Sequence, residues 1–312
     1  MGEGEEEDLT VHAMGIALTA TFGTISIRHP DGTFEDLGRV DGDGRYEDMM
    51  RRLSSQEEMR LAPPYSSSQE MLSELLRTSS RAIRRSLGPH ASSDVKILSE
   101  MLELLIGLYP PAREGKQKQM GTRSLVVILH PALPALYGED ILDAASYLGI
   151  RVQNGQSLVQ VQPSTLVAAY AGYGRDLCNR HATKEKGRNE TRKPPEVDIL
   201  HVEVTSNTII VSVNALKATK SDTTQDARSR AFWNLGQRFE THLTSFLRLE
   251  YPAVFPKDMV VLFTGEGGLL RDGQVQGIVA WVLHRNGVDT VKTLSENPEF
   301  VAARAAAELF MS

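Results

Sequence analysis

Glu203 stands immediately before Val204-Thr205-Ser206-Asn207, where a strand-like stretch runs into hydroxyl and amide side chains. A carboxylate at the mouth of such a turn can order a metal-bound water. It can equally be a solvent-facing strand residue beside an ordinary hairpin, since Ser and Asn suit turns without any ligand. Further on, Thr264-Gly265-Glu266-Gly267-Gly268 supplies glycines on which a backbone can approach a ribose or a phosphate. Glu266 in its middle repels an anion unless magnesium is held there. Near the start, Gly15-Ile16-Ala17-Leu18 leads from an apolar strand into Thr19-Ala20-Thr21-Phe22, a second candidate turn.

Other chemistry is not encoded. The 8 histidines are scattered without the i, i+4 pairing of a zinc-protease helix, and neither a G-x-S-x-G elbow nor a P-loop occurs. Cys178, the only cysteine, excludes an intramolecular disulfide framework and a cysteine-clustered zinc site, and no motif activates it. Asp41-Gly42-Asp43-Gly44 resembles the start of a calcium loop, but its twelfth position is Arg52 where the loop needs glutamate. Asn189-Glu190-Thr191 fits a glycosylation acceptor pattern without a visible secretory route. The basic run from Lys184 to Lys193 reads as a solvated linker, with docking of an acidic partner as the other reading.

A fold must position these segments, and the composition allows one. The 312 residues and 41% hydrophobic content suffice for a sizeable core of about two domains or one bilobed unit. A net charge of -6 argues against a dedicated nucleic-acid binder, and the acidic start is neither a signal nor a transit peptide. No run of about 18 apolar residues provides a membrane span. A reducing compartment, cytoplasmic or nuclear, is expected.

Strands are expected over 11–18, 24–27 and 33–37, with His29-Pro30-Asp31-Gly32 as a hairpin signal. Residues 38–90 read as a polar insert or embellishment holding an amphipathic helix over 69–87. A helix over 94–108 follows, capped by Ser92 or Ser93, then a basic linker over 112–122. A strand over 125–129, a helix over 139–148, strand-like residues over 150–161 and a helix opened by Gln162-Pro163 complete the first half. After a charged connection the order repeats. Strands lie over 199–204 and 208–213, a long helix over 227–249, a strand over 259–263, a helix over 271–283 and a last helix from 298. The divisions are an acidic tail over 1–10, a first lobe over 11–175, a connector over 176–196 and a second lobe over 197–312. Two such units in tandem suggest a duplicated α/β unit.

In this order the segments resemble the actin-like ATPase superfamily, in detail the ATPase domain of the seventy-kilodalton heat-shock chaperones and their fungal-type relatives. Gly15 to Phe22 matches the family's first phosphate loop, G-I-D-L-G-T-T-Y. Gln162-Pro163-Ser164-Thr165 with Ala168-Ala169-Tyr170 is similar to E-P-T-A-A-A-x-A-Y. Glu203 to Thr208 stands where the second loop has D-L-G-G-G-T, residues 260–265 resemble the adenosine-motif strand, and Asn297-Pro298 with Ala302 to Ala307 the last helix. The resemblance implies a duplicated ribonuclease-H-like, bilobed α/β fold. It also implies two hairpin loops whose backbone N–H groups wrap phosphates while acidic residues hold magnesium. Against that need, Ala17 replaces the family's first aspartate, Thr19 the loop glycine and Ala20 the first threonine. Thr205, Ser206 and Asn207 replace the second loop's glycines, Gln162 lacks the carboxylate, and Ala305 replaces a helix glycine. The stretch between the second hairpin and residue 259 is too short for the adenine-gripping lobe, so the peripheral lobes are reduced.

The resemblance therefore implies a degenerate member acting as a non-hydrolysing binding, scaffolding or regulatory module with a protein partner, no nucleic acid and no membrane. The alternative is a slow ATPase or ATP-gated switch in which Glu203, Thr21 and Glu266 rebuild a magnesium site, with ATP and magnesium as cofactors. A second alternative is an accessory protein binding another small molecule in the cleft. Glu203 is the candidate catalytic residue. Thr21, Gln162, Thr205, Ser206, Asn207, Gly265 and Glu266 are the candidate nucleotide-contacting residues, and no resident metal site is expected.

Overall fold

The computed structural model describes residues 13–60, 66–88, 90–109, 125–150, 152–153, 156–157, 159–162, 165–173, 197–216, 228–233 and 238–309. The acidic tail, the 112–122 linker, the 176–196 connector with its basic run, Cys178 and Asn189 lie outside them.

Strand β1 (Ala13–Leu18) is buried along its whole length, as a central strand covered on both faces must be. It pairs antiparallel with β2 (Phe22–Arg28), which pairs antiparallel with β3 (Phe34–Asp41). The turn between β2 and β3 closes through Gly32, whose φ of 87° needs a glycine. On its other side β1 runs parallel to β4 (Leu125–Leu129), and β4 parallel to β7 (Val159–Gln162). A two-stranded ribbon of β5 (Val152–Gln153) and β6 (Gln156–Ser157) precedes β7. The first sheet therefore has the order β3-β2-β1-β4-β7.

The second sheet repeats it. Strands β8 (Val197–Val204), β9 (Thr208–Leu216), β10 (Arg228–Trp233), β11 (Asp258–Gly265) and β12 (Thr290–Leu294) take the order β10-β9-β8-β11-β12. The β8–β9 and β9–β10 pairs are antiparallel, and β8–β11 and β11–β12 parallel. Two identical sheet orders with identical strand directions make the chain a duplicated ribonuclease-H-like α/β fold, the actin-like ATPase architecture.

Met14, Ile16 and Leu18 on one face of β1 pack against α1 (Gly44–Leu53), α3 (Ser93–Ile106) and α4 (Gly138–Tyr147). Ala17 on the other face meets Ala168 of α5 (Thr165–Gly172) and the alanines of α9 (Val301–Leu309). In the second sheet Leu200, Val202 and Val204 face α6 (Phe239–Glu250) and α8 (Gln274–Arg285).

Several expectations need correction. Within residues 38–90, the end of β3 and helix α1 are core: Tyr46, Met49, Met50 and Leu53 are buried beneath the first sheet. Residues 228–233 are an edge strand instead of the start of a long helix. Their alternation serves two cores, with Phe232 in the second and Ala231 and Trp233 against the first. Strand β12, half-exposed at the other edge, was not expected. The last helix, assigned to the second lobe, packs on the first sheet, because its run of alanines lets it approach the backbone of β1 at Gly15.

Helix α2 (Ser68–Leu87) starts on Ser67, whose side chain accepts the Glu70 N–H, and ends on left-handed Gly88. Its attachment to α4 is ionic. Arg81 reaches Asp140 at 2.7 Å and Asp143 at 2.5 Å, Arg77 reaches Glu139 at 3.3 Å, and Arg85 pairs with Asp143. Removing one member of a buried pair strands the other charge. Arg81→Ala is therefore expected to cost about 3 kcal/mol in urea unfolding, against less than about 1 kcal/mol for the half-exposed Arg85→Ala.

Candidate functional site

The ends of β1 and β8 carry equivalent turns. Thr19 N–H donates to the Phe22 carbonyl and Thr205 N–H to the Thr208 carbonyl, each at 2.8 Å. Each threonine hydroxyl donates to that same carbonyl, at 2.8 and 3.2 Å. Thr19 thus closes the turn in which the family has a flexible glycine. Its role was legible only as one of two threonines at matching places before Ala20-Thr21 and Ser206-Asn207.

Glu203 lies on the face of β8 opposite the second core, with Ile199 and His201, pointing at the first lobe. It is 1% exposed, so the solvent-facing reading is wrong: the lobe interface buries it. Its Oε1 accepts the Ala20 N–H of the first turn at 3.4 Å. Burial pushes the carboxyl up to about 8, against a smaller downward pull from that N–H. Glu203 is therefore protonated at neutral pH. Nearby, the Tyr46 hydroxyl donates to the Thr19 carbonyl at 2.8 Å, and burial with Glu203 beside it raises this phenol. His201 bonds Thr264 at 2.8 Å and is pushed down to about 4 by burial. The gap lined by Thr165, Leu166, His201, Glu203 and Ile210 has no room for a water-sized sphere.

The second turn is closed by the other carboxylate. Gly265 has φ 108°, and a Cβ there would lie 2.0 Å from the Val204 carbonyl, so only glycine lets β11 end beside β8. Glu266 N–H then donates to the Val204 carbonyl at 2.7 Å, and Glu266 Oε1 accepts the Ser206 N–H at 3.0 Å. The same oxygen lies 3.4 Å from Arg39 of β3, which also bonds Glu299 at 3.1 Å and stacks 4.0 Å over Phe22. Asn207 Nδ2 donates to Glu47 of α1 at 3.0 Å. The glycines after Glu266 open the short helix α7 (Gly267–Arg271).

Glu203, Thr205, Ser206, Asn207, Gly265 and Glu266 thus converge at the ends of β8 and β11, facing the Thr21 turn. Gln162 ends β7 opposite Leu129 and does not open a helix, which begins at Thr165. Its side chain lies outside the described residues. Arg39 and Glu47 were missed, sitting in polar sequence with no motif around them.

A magnesium nucleotide fits these residues poorly. A phosphate would need the Ala20 and Ser206 N–H groups, which Glu203 and Glu266 already occupy, and a neutral Glu203 is a poor partner for a metal-bound water. Among the described residues no group of three His, Cys, Asp or Glu side chains is arranged to hold a metal ion. Two hydroxyls, Thr21 Oγ1 and Thr208 Oγ1, are buried without a hydrogen-bond partner.

No protein-family model matches the chain, and no curated protein matches it. Among solved structures, it is similar to a Bacteroides thetaiotaomicron protein with an actin-like ATPase fold and unknown function, at 10% identity and TM-score 0.41 over 98% of this chain and 99% of that one. A non-polymerising MamK variant bound to AMPPNP gives 12% identity and TM-score 0.42 over 97% and 100%. The ethanolamine utilization protein EutJ from Carboxydothermus hydrogenoformans gives 9% identity and TM-score 0.41 over 95% and 89%. These likenesses are too distant to carry weight, and the fold rests on the two sheets. Among the described residues no helix is long and apolar enough to cross a membrane.

Proposed function

We propose that this chain is a non-hydrolysing relative of the heat-shock-chaperone-like ATPases, a binding, scaffolding or regulatory module for a protein partner in the cytoplasm. One observation carries the reading. The backbone donors that would hold phosphates in each turn bond the protein's own glutamate side chains, Ala20 to Glu203 and Ser206 to Glu266. Links between the lobes support it: Asn207 to Glu47, Arg39 to Glu266, and Trp233 Nε1 to Ser54 at 2.9 Å. Such a body offers its outer surface for recognition.

Calorimetric titration with ATP and ADP, with and without magnesium, tests this alongside a thermal-shift scan. A ligand at about 100 times its dissociation constant would stabilise the fold by about 2.7 kcal/mol. The expected result is no stabilisation at millimolar nucleotide. Magnesium-dependent binding abolished by Glu203→Ala would establish the switch with a rebuilt magnesium site instead. The unpartnered hydroxyls of Thr21 and Thr208 favour one second reading, a neutral small molecule that enters when the lobes part. Stabilisation by such a compound, lost in Thr21→Val, would establish it.

A further inference from the structure

Helix α2 is amphipathic in the inverted sense. At 3.6 residues per turn, Leu72, Leu75, Leu76, Ser79, Ile83 and Leu87 fall within about 60° of one line along it. All its charged residues, Glu70, Glu74, Arg77, Arg81, Arg84 and Arg85, fall outside that stripe, and Arg77, Arg81 and Arg85 bond α4. The leucine face therefore points outward. Leu72, Leu75, Leu76, Ile83 and Leu87 are 56, 55, 63, 57 and 74% exposed, whereas Arg81 is the buried residue of the helix. A lone exposed leucine needs no explanation, but an uncharged stripe five turns long does.

We infer that this face is a self-association surface, on which α2 of a second copy of the chain packs antiparallel. Four pairs of residues match in kind about the Ser79–Ser80 bond, Leu72 with Leu87, Ser73 with Ser86, Leu76 with Ile83 and Ser79 with Ser80, while Leu75 meets Arg84. A twofold axis there sets Leu72 against Leu87 and Leu76 against Ile83 of the other copy, with the small serines at the crossing where backbones approach. A twofold interface demands this self-complementarity, and a surface for an unrelated partner does not. The helix dipoles select the direction, since antiparallel packing opposes them and parallel packing aligns them. The area is adequate. The five side chains expose on the order of 550 Å², so two copies can bury up to roughly 1,100 Å², above the ~800 Å² of incidental contacts and near the lower bound of stable complexes.

The test uses the full chain. Sedimentation velocity over a concentration series is expected to give a monomer–dimer equilibrium. The double variant Leu76→Glu/Ile83→Glu should weaken it by at least about thirtyfold without changing the circular dichroism spectrum. In a Cys178→Ser background, Ser79→Cys should cross-link to its own copy under mild oxidation. Leu72→Cys should not, because residue 72 of the two antiparallel helices is about 22 Å apart along the axis. A chain that stays monomeric at 100-fold increasing concentration overturns the inference, as does a dimer indifferent to Leu76→Glu/Ile83→Glu. Cross-linking at Leu72→Cys in preference to Ser79→Cys overturns the antiparallel arrangement. Capture of a different protein by α2 in a monomeric chain would reassign the surface to that partner.

Discussion

Gly15→Ala is expected to destabilise the protein by at least about 3 kcal/mol, the range of a severe core substitution, despite adding one methyl group. The added Cβ would sit 1.9 Å from the Ala303 carbonyl oxygen, 2.5 Å from the Ala307 nitrogen and 2.9 Å from the Ala306 Cβ. None of these is the end of a flexible side chain, so relief requires α9 to back away from β1. That would open the alanine-lined contact between Ala17, Val127, Leu129 and the helix. Gly268 is the internal control. A Cβ there meets nothing within 4 Å, and it lies in α7, so Gly268→Ala should be neutral or stabilising by up to about 1 kcal/mol. Urea unfolding of the two variants separates a packing effect from a general penalty for replacing glycine.

Glu203 dictates an unusual dependence of stability on pH. Its carboxyl ionises near 4.5 when unfolded and near 8 when folded. Between those values the native state holds a proton that the unfolded state has released, so stability falls as pH rises, by about 1.4 kcal/mol per unit. His201 acts oppositely. Its folded value of about 4 lies below 6.5, so the unfolded state binds the extra proton between them and stability rises with pH. His130, also lowered by burial, adds in the same sense. The histidine terms offset Glu203 below pH 6.5 and fade above it, where Glu203 dominates. The protein should lose about 1 kcal/mol between pH 6.5 and 8. Glu203→Gln keeps an acceptor for the Ala20 N–H and carries no proton to lose. It should show no fall across that window and be more stable by up to about 3 kcal/mol at pH 7. Chemical denaturation at four pH values reads this directly, and an unchanged slope in Glu203→Gln would remove Glu203 as its source.

How far the fold was legible depends on whether neighbouring residues suffice to fix an element. Strands β1 to β3 and helix α3 were readable because apolar spacing, Asp31-Gly32 and the Ser92 cap all act locally. Strand β10 was not, because its period of two is obscured by arginines that sit at an edge while Phe232 and Trp233 serve different cores. The candidate site divides the same way. The two turns are local and their residues could be named. What Glu203 does is set across the lobe interface by Ala20, and what Glu266 does is set by Ser206, 60 residues away in its own lobe, and by Arg39 across the interface. Nothing around residue 203 signals that a chain segment from residue 20 will cover it.

The return of α9 to the first sheet has a consequence for biosynthesis. Residues 13–41 can form their hairpins early, but one side of that sheet has only α5 as cover until residues 301–309 have been made. The first sheet must therefore wait with Ala17, Val127 and Leu129 incompletely covered, an interval in which exposed strands invite misassembly. Completion of the first sheet is thus gated by residues made after the whole second sheet, and a nascent chain stalled before them should be a client for holding chaperones.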